Sequence, residues 1–267
     1  MTEIQQNLKD IMDDIAEVAQ CLWSKGWAER NGGNISVDVT DKCSNQKLPN
    51  HHNISLNSPF PELAERSYLV KIGGARMFDV ARNPWNNLLI ITINAGLDSY
   101  YITYLGDSMQ GLPTSELLSH LKIHQYLRRN SLPQKVFLHT HPTHLIALTH
   151  IPEYCKEEAL NKLLFSLHPE VKIHLPEGTG LVAYRLPGSE RLADDTVTAL
   201  QGHRVMVWEK HGCAAVGVDP FEAFDLIDII NKAAQIFFIC KAAGYQPAGL
   251  NIEQLFELDK VYNKKQS

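Results

Sequence analysis

The sequence predicts a single α/β domain built on a mostly antiparallel or mixed central sheet flanked by helices. Three observations lead there. Helical periodicity and strand-like alternation interleave along the chain without the regular βαβ rhythm of a parallel sheet. No linker, internal repeat or low-complexity stretch divides the 267 residues, a length that suits one large domain or two small ones. Apolar residues make up 44% of the chain and charged residues 21%, the proportions of a protein that can bury a sizeable core.

The elements follow in order. Over Leu8 to Lys25, the residues Ile11, Ile15, Val18, Ala19 and Leu22 fall at helical spacing, and Gly26 fits the left-handed position after a helix. Asn31-Gly32-Gly33-Asn34 is a compact turn sequence, and Ile35 to Val39 alternates like a strand. The polar stretch 41–61, rich in Asn, Ser and Pro, predicts an irregular insertion within a domain spanning 1–267. Strand-like runs follow at Tyr68 to Lys71, Leu88 to Asn94 and Tyr100 to Tyr104. Pro113-Thr114-Ser115-Glu116 then predicts a helix start, with Thr114 as cap, Glu116 in the first turn and a stripe of Leu117, Leu118, Leu121 and Leu127. A strand over Val136 to His141 is stopped by Pro142, and helices are predicted over 143–150 and 157–167. Arg204 to Trp208 is a strand ending at Lys210-His211-Gly212. Asp219 as N-cap, Pro220 at the first position, Glu222 at the third and a closing Gly244 mark the last long helix.

Several function classes are excluded. The formal net charge of −5, with no basic cluster, leaves no electrostatic footprint for nucleic acid. The longest apolar stretches, Asn87 to Ala95 and Leu226 to Cys240, are too short or too broken by charge to span a bilayer. The N-terminus has neither a basic nor an apolar signal region, so no secretory leader is expected. Cys21, Cys43, Cys155, Cys213 and Cys240 are odd in number and scattered, which suits free thiols in a reducing cytoplasm.

The chemistry is concentrated in a few residues. His139 and His141 stand two apart on a predicted strand, so their side chains leave the same face and can chelate one ion. Two unrelated polar residues on an exposed strand would look the same. His211, at the end of the later strand and beside Gly212, supplies a third imidazole. Three histidines with an open fourth position are the layout of a catalytic zinc site. Cys213 has no thiolate surroundings and is left out. The remaining histidines are assigned to core or surface, although His120 and His144 each follow a site element by about one turn. Glu116, near a helix start where the dipole favours an anion, could ligate the metal, act as a base or be a plain helix-start carboxylate. The turns Asn31 to Asn34, Gly73-Gly74 and Thr114-Ser115 can present converging N–H groups to a phosphate. Neither a P-loop nor a dinucleotide fingerprint is present.

Taken together, N-G-G-N-I-S (Asn31 to Ser36), P-T-S-E (Pro113 to Glu116), H-T-H (His139 to His141) and K-H-G (Lys210 to Gly212) resemble, in order and over nearly the whole chain, the class II aldolase/adducin family. The insertion, the K-G-W-A-E-R-N-G-G-N context and the long segment between H-T-H and K-H-G are similar to its rhamnulose-phosphate branch. The resemblance implies a three-layer sandwich and reversible cleavage of L-rhamnulose 1-phosphate, a sugar phosphate, to dihydroxyacetone phosphate and L-lactaldehyde. It implies Zn2+ on His139, His141 and His211, and Glu116 as the catalytic carboxylate. Glu170, with Glu177 close by, corresponds to a second glutamate that enters the site from a neighbouring subunit of a homotetramer. Asn31, Gly33, Asn34, Thr114 and Ser115 match the phosphate-binding turns. The chain departs from the family at Ile72-Gly73-Gly74-Ala75, where a serine is usual, so the Gly74 backbone would have to serve there. Fuculose-1-phosphate aldolases, ribulose-phosphate 4-epimerases and the metal-free adducin head are the alternatives within the same family.

Overall fold

The β-branched and aromatic runs of the sequence pair into one nine-stranded sheet in this computed structural model, which describes residues 2–44 and 47–262. The strands are β1 (Asn34–Asp38), β2 (His52–Ser55), β3 (Ser67–Lys71), β4 (Leu88–Ile93), β5 (Ser99–Tyr104), β6 (Val136–Thr140), β7 (Gly180–Val182), β8 (Val205–Trp208) and β9 (Gly212–Gly217). Their order across the sheet is β2-β5-β4-β3-β1-β6-β9-β8-β7. All neighbours are antiparallel except β7 and β8, the mixed sheet the sequence predicts.

Helices cover both faces. Ile35, Val37, Leu69 and Leu138 point to the face packed by Leu8, Met12, Ile15 and Leu22 of the helix Glu3–Ser24 and by Ile227 and Ile230 of the helix Pro220–Ala242. Their strand neighbours point the other way. Tyr68 and Val70 pack with Leu121, and Phe137 packs with Ile123 and Leu127, all three leucine and isoleucine side chains lying on the helix Leu117–Arg129. This is the period-two alternation of a sheet buried on both sides. Each fully buried Leu, Ile or Val adds roughly 1.5–3 kcal/mol, so the centre of the sheet is a rigid platform.

The ends of the long helices follow their local chemistry. Glu3–Ser24 starts five residues before the predicted Leu8 because Thr2 and Gln5 form a capping box, each side chain bonding the other's backbone. Gly26 leaves the helix at φ +71°, as its position predicts. Asp219 caps Pro220–Ala242 by accepting from the Glu222 N–H at 2.8 Å.

Some elements differ from the sequence-based expectation. The insertion is not wholly irregular. It holds the short helix Thr40–Cys43 and the edge strand β2, whose His-Asn-Ile-Ser has no apolar alternation to reveal it; residues 45–46 lie outside the described ones. Glu116 is not in the first helical turn: the helix begins at Leu117, Glu116 is its N-cap, and Thr114 Oγ1 accepts instead from the Glu116 N–H at 3.3 Å. The strands β7 and β9 and the helices Pro169–His174, Glu190–Ala199 and Ile252–Tyr262 were not anticipated. Among the described residues, no helix is long and apolar enough to cross a membrane.

Candidate active site

Register brings the site together. Asn34 opens β1 directly opposite His139 on β6, and β6 pairs in turn with β9, which begins one residue after His211. His139 therefore stands between the Asn31–Asn34 turn on one side and the β8–β9 hairpin turn on the other. The Trp27 carbonyl clamps the end of β6, accepting from Thr140 Oγ1 at 2.7 Å and from the His141 N–H at 2.9 Å. Arg30 and Lys210, neither a glycine, sit in the left-handed region at φ 52° and 60°. The turns carrying the site thus hold backbone strain, of order 1 kcal/mol or more each.

The three imidazoles converge. Ring centroids lie 5.0 Å apart for His139 and His141, 4.9 Å for His139 and His211, and 5.3 Å for His141 and His211. One ligand atom from each falls within 4.8 Å of the others. Two of the rings are oriented from behind. His139 Nδ1 donates to the Cys213 carbonyl at 2.8 Å, and His141 Nδ1 donates to the Glu29 carboxylate at 2.7 Å. Both Nε2 lone pairs are thereby left facing one another, 3.2 Å apart, the tautomer a metal ligand requires. Burial and its two imidazole neighbours hold His139 well below the usual histidine range, and burial lowers His211 to about 4. Rings that stay neutral keep their lone pairs for a cation.

The packing leaves room for these rings and little else. A Cβ on Gly32 would meet His141 at 2.9 Å, and one on Gly212 would collide with the Thr140 carbonyl and meet His141 at 3.0 Å. Trp208 lies 4.3 Å from His139 between ring centroids and walls the site from below. With an all-imidazole donor set, oriented Nε2 atoms and no thiolate, the residues fit a divalent metal ion. Among the described residues, no other group of three ligand side chains comes this close together.

Glu116 stands beside the cluster, its Oε2 3.9 Å from His139 Nε2. It is 7% exposed. Burial raises its pKa above the usual carboxylate value, opposed first by the hydrogen bond from Asn34 Nδ2, 2.6 Å long, and then by its electrostatic interactions with the neighbouring His141 and Lys71. Lys71 is a site residue that sequence reasoning missed. It is 2% exposed, donates to the Ala75 carbonyl at 2.6 Å and the Asn31 carbonyl at 3.3 Å, and is held down to about 8 by burial. The signal was a lysine closing an apolar strand immediately before Ile72-Gly73-Gly74. Glu29 was also missed, being noted only as part of the motif context.

A cavity of about 150 Å³ joins these groups, lined by His139, His141, His211, Glu116, Lys71, Asn31 to Asn34, Gly73, Gly74, Thr114 and Ser115. Every residue assigned from the sequence is in it except Glu170. That glutamate lies on the helix Pro169–His174, half-exposed and paired to His174 at 3.1 Å, and Glu177 is engaged by Arg204 at 2.8 Å. Neither lines the cavity of its own chain. A larger cavity of about 740 Å³, bounded by Thr40, Cys43, Asn53, Thr92 and Tyr101, holds no histidine. The chemistry is therefore assigned to the smaller one.

The comparisons agree with this geometry. The family model for the Class II Aldolase and Adducin N-terminal domain matches residues 13–238. The chain is 40% identical over 255 residues to the rhamnulose-1-phosphate aldolase of Bacteroides thetaiotaomicron, covering 94% of each chain. It is 32% identical over 250 residues to that of Pectobacterium atrosepticum, covering 90% of this chain and 89% of that one. Among solved structures, a sugar-phosphate aldolase from Thermotoga maritima superposes with a TM-score of 0.77 at 30% identity, over 91% of this chain and 99% of that one. An L-fuculose-1-phosphate aldolase from Thermus thermophilus, with a TM-score of 0.57 at 18% identity over 89% and 98%, shares the fold. The chain belongs to the class II aldolase and adducin family.

Proposed function

We propose that this protein is a zinc-dependent aldolase that reversibly cleaves L-rhamnulose 1-phosphate into dihydroxyacetone phosphate and L-lactaldehyde. The observation that carries the reading is the placement of three converging imidazoles, a buried carboxylate and a glycine-rich cradle around one small cavity. An adducin-like binding module has no physical need of that combination. The rhamnulose substrate, rather than fuculose 1-phosphate, follows from the near full-length relatives at 40% and 32% identity.

The residues divide the work. The N–H groups of the turns at Asn31 to Asn34, Gly73-Gly74 and Thr114-Ser115 hold the phosphate, and the buried Lys71 adds a positive charge on the same cavity, where the turn 72–75 lacks the serine hydroxyl. A zinc ion on His139, His141 and His211 supplies Lewis-acid polarisation of the ketose carbonyl, which lowers the cost of charge left when the C3–C4 bond breaks. No Schiff-base lysine is then required. Glu116 donates its proton to C3 as dihydroxyacetone phosphate forms and removes it in the reverse direction. Burial raises its hold on that proton above that of an exposed carboxylate. The C4 hydroxyl proton must also leave, and we assign it to Glu170 of a neighbouring copy in a homotetramer, since Glu170 does not line the cavity of its own chain.

A coupled assay tests the reading. Purified enzyme is offered L-rhamnulose 1-phosphate and L-fuculose 1-phosphate, with zinc measured before and after chelation. Preferential cleavage of the fuculose substrate sinks the substrate assignment. Full activity in metal-free protein sinks the mechanism.

A further inference from the structure

Behind Glu116 runs a buried hydrogen-bonded line that the reaction does not itself use. Asn34 and Ser36 are two apart on β1 and share a face, while His120 and His124 are four apart on the helix Leu117–Arg129 and share a stripe. The two spacings match, and the groups interlock. His120 Nε2 lies 2.6 Å from Asn34 Oδ1, His120 Nδ1 lies 2.7 Å from Ser36 Oγ, and Ser36 Oγ lies 2.7 Å from His124 Nε2. All four side chains are buried, both imidazoles at 1% exposure.

Proton counting gives this line one direction. An amide oxygen can only accept, so His120 carries its proton on Nε2 and donates to Asn34. Burial keeps His120 neutral, so its Nδ1 is bare and must accept the single Ser36 hydroxyl proton. Ser36 Oγ then accepts from His124 Nε2. The remaining atom, His124 Nδ1, is left as a bare nitrogen, and it is the one ring atom of the line without a hydrogen-bond partner. Every donor therefore points toward Glu116, where Asn34 Nδ2 delivers the last hydrogen bond at 2.6 Å. With Glu116 ionised, a flipped Asn34 amide would set its oxygen against the carboxylate at 2.6 Å, two acceptors facing one another. The amide carries no mobile proton, so the line polarises and orients without conducting.

We propose that His120, Ser36 and His124 are positioning residues that lock the Asn34 amide and through it the Glu116 carboxylate. This deepens the aldolase reading and rests on it. Loss of the lock lowers kcat while leaving KM near its original value, because only the Asn34 side-chain amide is released and the backbone N–H groups of the phosphate cradle keep their places.

Two measurements test the proposal. In the zinc-loaded enzyme, Ser36→Val keeps the shape of threonine without its hydroxyl and is expected to lower kcat about tenfold, the worth of one hydrogen bond. KM should stay within about twofold of wild type, and Ser36→Thr should restore most of the loss. Equal kcat in the Val and Thr variants overturns the proposal. Independently, long-range 15N–1H correlations on histidine-labelled wild-type protein are expected to show Nε2–H with bare Nδ1 at His120 and His124. A proton on His120 Nδ1 overturns the proposal even if neither variant folds. Wild-type protein that shows these tautomers but cleaves no rhamnulose 1-phosphate supports the lock and fails the substrate reading alone.

Discussion

Gly32→Ala perturbs the metal site without replacing any ligand. The new Cβ would sit 2.9 Å from His141 Cε1 and Nδ1 and 2.9 Å from the Glu29 carbonyl, against the 3.4 Å at which ordinary contact begins. The imidazole is the softer of the two neighbours, since the Glu29 carbonyl is fixed by accepting the Gly32 N–H at 2.8 Å. The ring must therefore retreat by about 0.5 Å, more than the roughly 0.2 Å within which metal–ligand distances hold. Its hydrogen bond to Glu29 is disturbed in the same movement. Losses of ligand orientation of this kind cost about 10- to 100-fold in metal affinity, or about 1.4–2.8 kcal/mol. Gly32 has no positive φ, so alanine brings no dihedral penalty, but its contact with the fixed Glu29 carbonyl persists without metal, and the metal-free variant should melt below the wild type. Zinc affinity is measured by competition with a chromophoric chelator, and Tm of the metal-free forms by calorimetry. Unchanged zinc affinity in a folded Gly32→Ala protein would refute the claim that the N-G-G-N turn sets the position of His141.

Three other outcomes follow. Glu116→Gln keeps the contact with Asn34 but cannot exchange a proton, so kcat should fall about 10²- to 10⁴-fold with the melting temperature unchanged; solvent exchange at C3 of dihydroxyacetone phosphate that persists at the wild-type rate rules Glu116 out. Mixed in equal amounts and reassembled, Glu116→Gln and Glu170→Ala chains should recover about a quarter of wild-type sites if each site draws on two subunits, whereas no recovery places both groups in one chain. Lys71, at about 8 against an ordinary 10.5, binds a proton in the unfolded chain that it lacks in the fold between those two pH values. Stability should therefore rise across that window by up to about 3 kcal/mol, at 1.36 kcal/mol per pH unit. Urea unfolding of Lys71→Met should lack that rise, and parallel pH profiles for the two proteins would sink the assignment.

The metal cluster was legible because one structural period decides it: H-x-H on a strand faces one way, and the hairpin after Trp208 returns His211 to the same rim. The turns Asn31–Asn34 and Gly73-Gly74 on the cavity wall were legible from their glycines, and the last helix from its caps. Other features depend on register, which no single segment contains. Lys71 looks like any strand-end lysine until the Asn31 and Ala75 carbonyls close over it. His120, which follows a site element by about one turn, and His124 read from the sequence as core or surface histidines, and they are core residues. Their roles emerge only once β1 and the helix Leu117–Arg129 are laid side by side. The edge strand β2 escaped because its exposed residues carry no apolar alternation. Glu170 is singled out only by resemblance, and its own chain leaves it half-exposed and paired to His174.

The antiparallel pairings explain why this chemistry sits where it does. The start of β1, the end of β6 and the start of β9 meet on one rim of the sheet, because antiparallel neighbours place opposite termini side by side. The strands deliver His139 and Asn34 from the most rigid part of the molecule. The strained turns at Arg30 and Lys210 deliver the Asn31–Asn34 wall of the cavity and His211 from its margin. A catalytic constellation tolerates little movement, and here only its outer ligands depend on turns. Substitutions in 72–75 should therefore alter phosphate binding while sparing the metal. Substitutions that loosen the β1–β6 register should weaken metal affinity and Glu116 positioning together, since Asn34 and His139 are partners in the same register.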